Sequence, residues 1–315
     1  MVAFAVAIAI GFRFYAYSYG IEQIFSLELP ILLVLQYEIP ALSLSLTVIL
    51  NALLCIILVF SMQVQIVKHS LLRSRNFLPL FFSLVLCSLN PNMANAILNF
   101  VLLLALVYVY FQLFDCYRIS YPQVKIFNLS MVMGILCLLD IRLICLMPVF
   151  WGILIRNRSF SAKSFIASLI GLSIAFALFA FYLFIAKEDI SQVTELFREL
   201  TEIERQMHTP LTRARSIYLG TIFALCTISW LNLKRCPERE QIRITLANNR
   251  VALVCTNMLS VFFLTSDLLL AATIVPMTIL LGYLFSSISG WIYRILFILF
   301  IAAIFTNFVF LLWKY

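Results

Sequence analysis

From Ser164 to Ala186 the chain carries no charged residue at all. As a helix this run rises ~1.5 Å per residue and matches the roughly 30 Å hydrocarbon thickness of a bilayer with a little tilt. Similar apolar runs recur along the sequence, so the feature belongs to the whole chain. Of its 315 residues, 64% are hydrophobic and 11% charged; the mean hydropathy is +1.06. Soluble domains carry about a quarter charged residues, and surface-to-volume scaling limits how much apolar surface a water-soluble core can hide. Lipid is the solvent this composition suits.

Hydrocarbon satisfies no backbone amide, so a chain crosses it as helices or as a closed barrel. Barrel strands alternate polar and apolar residues, which these continuous runs do not. The expected fold is all-α: a polytopic transmembrane helical bundle of about eight membrane segments, seven full crossings plus a hairpin, within a range of seven to nine.

Residues 1–40 read as an N-terminal interfacial segment, with Glu22, Glu28 and Glu38 among aromatics and prolines. Its first ten residues suit either a signal peptide or a partly inserted segment. A first membrane region follows over 41–187. It opens with a span at 41–63, just after Pro40. The stretch 77–114 is too long for one crossing, and Asn90-Pro91-Asn92 divides it into two spans, because Asn-Pro favours a turn. Residues 126–155 hold Asp140 and Arg142 near their middle. They read as a hairpin or re-entrant segment with those two residues at its tip; one tilted helix or two short helices are the alternatives. The charge-free run at 164–186 closes the region.

Residues 188–215 are expected to form an amphipathic extramembrane helix. Its apolar stripe runs from Ile190 through Leu196, Leu200 and Ile203 to Met207, Asp189 or Ser191 caps it, and Pro210 stops it. The second membrane region, 216–315, holds spans at 216–233 and 290–313. Between them lie a basic loop from Lys234 to Arg250 and a stretch at 251–287, with Asp267 and Pro276, that is one kinked helix or two short ones.

Lys and Arg cluster at 68–75, 156–163 and 234–250, and the positive-inside rule places all three clusters in the cytosol. That assignment requires 126–155 to begin and end on the same side. Two glycosylation sequons begin at Asn128 and Asn157, both near the cytosolic face, so neither is expected to carry sugar. The net charge of +8 is this orienting charge, and no basic block with interleaved aromatics points to nucleic acid.

Eight cysteines without a C-x-x-C pair read as reduced, buried thiols. Histidines 69 and 208 are isolated, so metal and haem chemistry have no ligand set and no cofactor is expected. Neither phosphate-binding, nucleophile-elbow nor zinc-protease motifs occur, leaving no catalytic residues to name. With only eight glycines, glycine-mediated helix crossings have little support.

Ionisable and amide groups inside spans are costly and mark candidate functional positions. They are Asn51, Asp140, Arg142, Asp267 and Arg294. Asp140 and Arg142, two apart, face different sides of a continuous helix. Two readings compete: Arg142 pairs with Asp267 inside the bundle, or Asp140 and Arg142 sit in a wet interfacial turn. The expected function is that of a divergent, chemosensory-like seven-helix receptor. A transporter or channel, or a subunit of a membrane complex, is the alternative. The expected partners are the lipid bilayer and a protein docking on the 188–215 helix or the basic loops.

Overall fold

The computed structural model describes residues 44–69, 71, 77–89, 97–186, 240–262 and 272–287, with single positions at 291, 295, 297, 298 and 302. Every regular element among them is helical: α1 (Leu44–Lys68), α2 (Leu78–Leu89), α3 (Ile97–Phe114), α4 (Gln123–Leu139), a 3-10 segment (Ile141–Leu146), α5 (Met147–Arg156), α6 (Ala162–Ala186), α7 (Glu240–Phe262) and α8 (Ile274–Ser287). The all-α expectation holds for these residues. The segment 1–40, the amphipathic helix at 188–215 and the span at 216–233 lie outside them.

One helix, Ala162–Ile185 within α6, is long and apolar enough to cross a membrane by length and composition, with a mean hydropathy of 2.3. Shorter apolar helices occur at Ala52–Lys68, Leu78–Cys87, Phe100–Phe114, Gln123–Leu139 and Ile274–Phe285.

The described residues fall into two compact units, one holding those up to Val101 and from Glu240 onward, the other those from Leu102 to Ala186. In the first unit, α8 packs against α2 and α7, and α1 packs against α2. α2 and α8 are apolar on every side and are buried along nearly their whole length, as all-round hydrophobic helices must be. Phe82 of α2 stacks on Phe285 of α8 with ring centroids 5.5 Å apart. Each helix carries its proline in the first turn, Pro79 and Pro276, where a missing amide hydrogen costs least.

In the second unit the chain folds back on itself at Asp140. The outgoing arm is the 17 residues of α4, and the return is the 6 residues of the 3-10 segment followed by the 10 of α5. A 3-10 helix climbs further per residue than an α-helix, so the two arms come out nearly equal in length. The return is complete, because Arg118 N donates to Asn157 O at 3.0 Å, joining the loop before α4 to the residue after α5. The residues that flank 126–155, Arg118 and Asn157, therefore meet at one end of this unit. The segment is a hairpin of two arms, not a continuous helix.

α6 then rises parallel to α4. Phe127 to Met131 lie against Gly171, Gly134 lies against Leu172 and Ala175, and Leu138 clusters with Ala175, Phe179 and Leu183. Here the expectation against glycine-mediated crossings is overturned. A Cβ on Gly171 would lie 2.5 Å from Phe127 O, and one on Gly134 would lie 2.7 Å from the Ala175 Cβ. Two glycines among eight are enough, because each stands where the facing helix comes too close for a Cβ.

Candidate functional site

Of the sequence-selected positions, Asp140 and Arg142 lie at the apex of the second unit's hairpin. Asp140 leaves the α4 helix with φ −141° and ψ 103°, and its Oδ1 accepts a hydrogen bond from Arg142 N at 3.1 Å. The carboxylate thus caps the 3-10 segment, and both residues are half-buried. Asn51 lies within α1. Asp267 and Arg294, and with them the proposed Arg142–Asp267 pair, lie outside the described residues.

The most concentrated buried polarity among the described residues was not among those candidates. It is on α7, where Thr245, Asn248, Asn249, Thr256 and Asn257 recur with helical spacing on a single buried face. The opposite face exposes Val251, Val254 and Met258. Asn249 Nδ2 donates to Thr245 O at 3.0 Å and Thr256 Oγ1 to Leu253 O at 3.1 Å, so part of this polarity is returned to the helix's own backbone. Asn257, 4% exposed, has no hydrogen-bond partner for either Oδ1 or Nδ2 among the described residues. Sequence reading assigned 234–250 to a basic loop, whereas Glu240 already starts the helix and Arg243 and Arg250 lie within it. The signal that could have found this face was the spacing of its three asparagines and two threonines, masked by the neighbouring arginines.

A second concentration is basic. The loop 115–122, the first turn of α4 and the α5–α6 connection lie together at one end of the second unit, joined through Asn157. Its Nδ2 donates to Leu113 O at 2.8 Å, and the residue is 1% exposed. α5 ends in a Schellman closure. Ser159 N donates to Leu154 O and Arg158 N to Ile155 O around a left-handed Arg158 at φ 56°. Arg118 is left-handed as well, at φ 54°. Ser161 caps α6 by accepting from Ser164 N at 3.1 Å.

Lys125 and Asp115 approach to 3.7 Å at this end. The buried Cys116 thiol beside them is pushed up from its ordinary value by burial, the Lys125 charge opposing this and the Asp115 charge adding to it. No described cysteine is in a disulfide. Among the described residues no cluster of three or more His, Cys, Asp or Glu could hold a metal ion.

Comparison with protein-family models, with curated proteins and with solved structures finds no match.

Proposed function

We propose that this chain is a multi-pass integral membrane protein acting as a receptor of the divergent seven-helix, chemosensory-like kind, with its ligand contact on the buried amide face of α7. The observation that carries the membrane part is that α7 buries three amides while exposing apolar side chains from Val251 onward. A helix on a water-soluble protein turns apolar residues inward and polar ones outward. α7 buries Asn248, Asn249 and Asn257 and exposes Val251, Val254 and Met258. That arrangement lowers free energy where the surroundings are acyl chains and polar groups face the protein interior.

Two other helices support it. α1 exposes Ile49, Leu53, Ile56, Phe60, Val64 and Val67, a stripe with helical spacing along the helix. α6 exposes Ile166, Ile170, Phe181 and Phe184 in the same manner. Contiguous apolar surface of this length marks a face made for lipid or for a partner.

The receptor reading rests on Asn257. Among the described residues its amide meets no partner at either end, which costs about 1–3 kcal/mol, and a ligand that both donates and accepts would remove that cost. An amide both donates and accepts without charge, so the ligand chemistry is small, neutral and polar. A transporter or channel is the second reading, favoured by the same buried polarity.

Three measurements test this. Alkaline carbonate should leave the chain in the membrane pellet, and release into the supernatant would end the membrane reading. Cysteine-accessibility mapping should place 115–122 and 157–161 together in the cytosol, with seven crossings and an outside N-terminus. In proteoliposomes, no flux of small neutral solutes or ions is expected; measurable flux abolished by Asn257→Leu would replace the receptor with the transporter.

A further inference from the structure

We propose that the basic end of the second unit is a docking surface for the headgroups of anionic phospholipids. The proposal rests on the membrane reading above and adds a lipid chemistry to one end of the fold. Between Leu102 and Ala186 the chain has six basic residues, and five of them (Arg118, Lys125, Arg156, Arg158 and Lys163) lie at this end. The acidic residues of the same stretch are Asp115, beside Lys125, and Asp140 at the far apex. The charge is therefore one-sided, and the backbone fixes it so. Arg118 N donates to Asn157 O, which brings the Arg118 loop against the Arg156–Arg158 turn.

Two of these arginines occupy positions that glycine fills at lower cost. Arg118 has φ 54° and Arg158 φ 56°. In this left-handed region an L side chain crowds its own backbone. Glycine is the usual residue at the left-handed position of a Schellman closure, yet arginine stands there. Both side chains are exposed, and the Arg118 guanidinium lies 5.2 Å from the centroid of the Tyr117 ring, a cation–π contact.

The same end exposes apolar anchors. Tyr121 is 85% exposed, and Val124 and Phe160 are exposed at this end as well. Aromatics and arginines together at one level are what a headgroup region selects, the rings entering the interface and the cations meeting phosphate. Arginine's planar fork matches a phosphodiester in two bonds. The occupant is an anionic phospholipid of the leaflet this end faces.

The test uses the full chain, purified in a neutral detergent with phosphatidylcholine and titrated with phosphatidylserine, reading thermal unfolding by tryptophan fluorescence and bound lipid by native mass spectrometry. Phosphatidylserine should raise the midpoint and appear as retained lipid. Both effects should fade at about 1 M salt, where the screening length falls to ~3 Å. The double variant R118G/R158G relieves the left-handed backbone while deleting two charges, and its own midpoint in phosphatidylcholine alone is the reference for its response. It should need on the order of tenfold more phosphatidylserine, since each cation near an anionic surface is worth severalfold in affinity. R118K/R158K keeps both charges and should retain most of the response.

A protein that withstands carbonate extraction but responds equally to both lipids overturns this proposal and leaves the membrane reading intact. Release by carbonate overturns both. Inorganic phosphate matching the effect of phosphatidylserine would make this a free-anion site and end the lipid assignment.

Discussion

Asn157 Nδ2 donates to Leu113 O at 2.8 Å across 44 residues of sequence. The same carbonyl, in the last turn of α3, also accepts from Cys116 N at 3.2 Å. A helix end leaves its last carbonyls with spare acceptor capacity, and the residue that ends α5 uses it here. The sequon at Asn157 lies in the α5–α6 connection, which the basic clusters assign to the cytosol, so it should stay unmodified. Expression in glycosylating cells should give no endoglycosidase-sensitive shift at this position. Asn157→Ala removes the buried donor, at a cost of about 1 kcal/mol. Thermal unfolding in detergent measures it, and an unchanged midpoint would show that the bond contributes nothing.

Gly171 is the tighter half of the α4–α6 crossing. Gly171→Ala places a methyl group 2.5 Å from Phe127 O, a backbone atom that cannot turn aside. The helices must separate, and overpacking of this kind costs about 1–3 kcal/mol. Gly152, with nothing within 4 Å of its Cβ position, is the matched control. Gly152→Ala should be neutral or stabilising, because alanine is the better helix former by about 1 kcal/mol. Equal midpoints for the two variants would show that α4 and α6 do not meet at these glycines.

How much of this was legible in the sequence depends on whether a feature is periodic or singular. The hairpin at Asp140 could be read because two charges interrupt an apolar run and the flanking basic clusters had to share a side. The helical class followed from run length. The glycine crossing could not be read, because its partners, Phe127 and Gly171, are brought together only by the return of α5. The amide face of α7 escaped because Arg243 and Arg250 made its first turns resemble a loop, while the asparagines that face inward sit between them and just beyond. Composition weighs arginine heavily, but burial is decided by which side of the helix a residue occupies.

The capping role of Asp140 separates geometry from charge. Asp140→Ala loses the bond to Arg142 N and should destabilise by about 1 kcal/mol. Asparagine caps nearly as well as aspartate, so Asp140→Asn should restore the midpoint. Should the asparagine variant fall as far as the alanine one, the carboxylate acts through its charge and the capping account fails.

Cys116 gives a pH-dependent signature of the basic end. Only the thiolate is nucleophilic, and burial holds this thiol protonated above the ordinary thiol range. The sign follows: the folded state binds the proton more tightly than the unfolded one. The preference for the folded state is complete below the unfolded thiol's pKa and declines as pH rises through the raised folded value. Maleimide labelling of Cys116 in the folded chain should be slow at neutral pH and accelerate at a more alkaline pH than in denaturant. Coincident pH profiles would mean that the thiol is not buried.

Asn257 provides the sharpest contrast between stability and function. Its amide is 4% exposed with neither polar atom paired among the described residues, so a side chain of similar size without polar atoms should be tolerated better than the native one. Asn257→Leu is expected to raise stability by about 1–3 kcal/mol, the desolvation cost it removes. The added branch sets a limit on this gain, because overpacking opposes it. Asn257→Ala separates the two terms by deleting the amide without adding volume. If both variants lower the unfolding midpoint, the amide is held by a bond in the folded state, and the ligand-facing assignment of α7 fails with it. If both raise it while abolishing the response to the cognate neutral ligand, the unpaired amide is a stability cost retained for recognition.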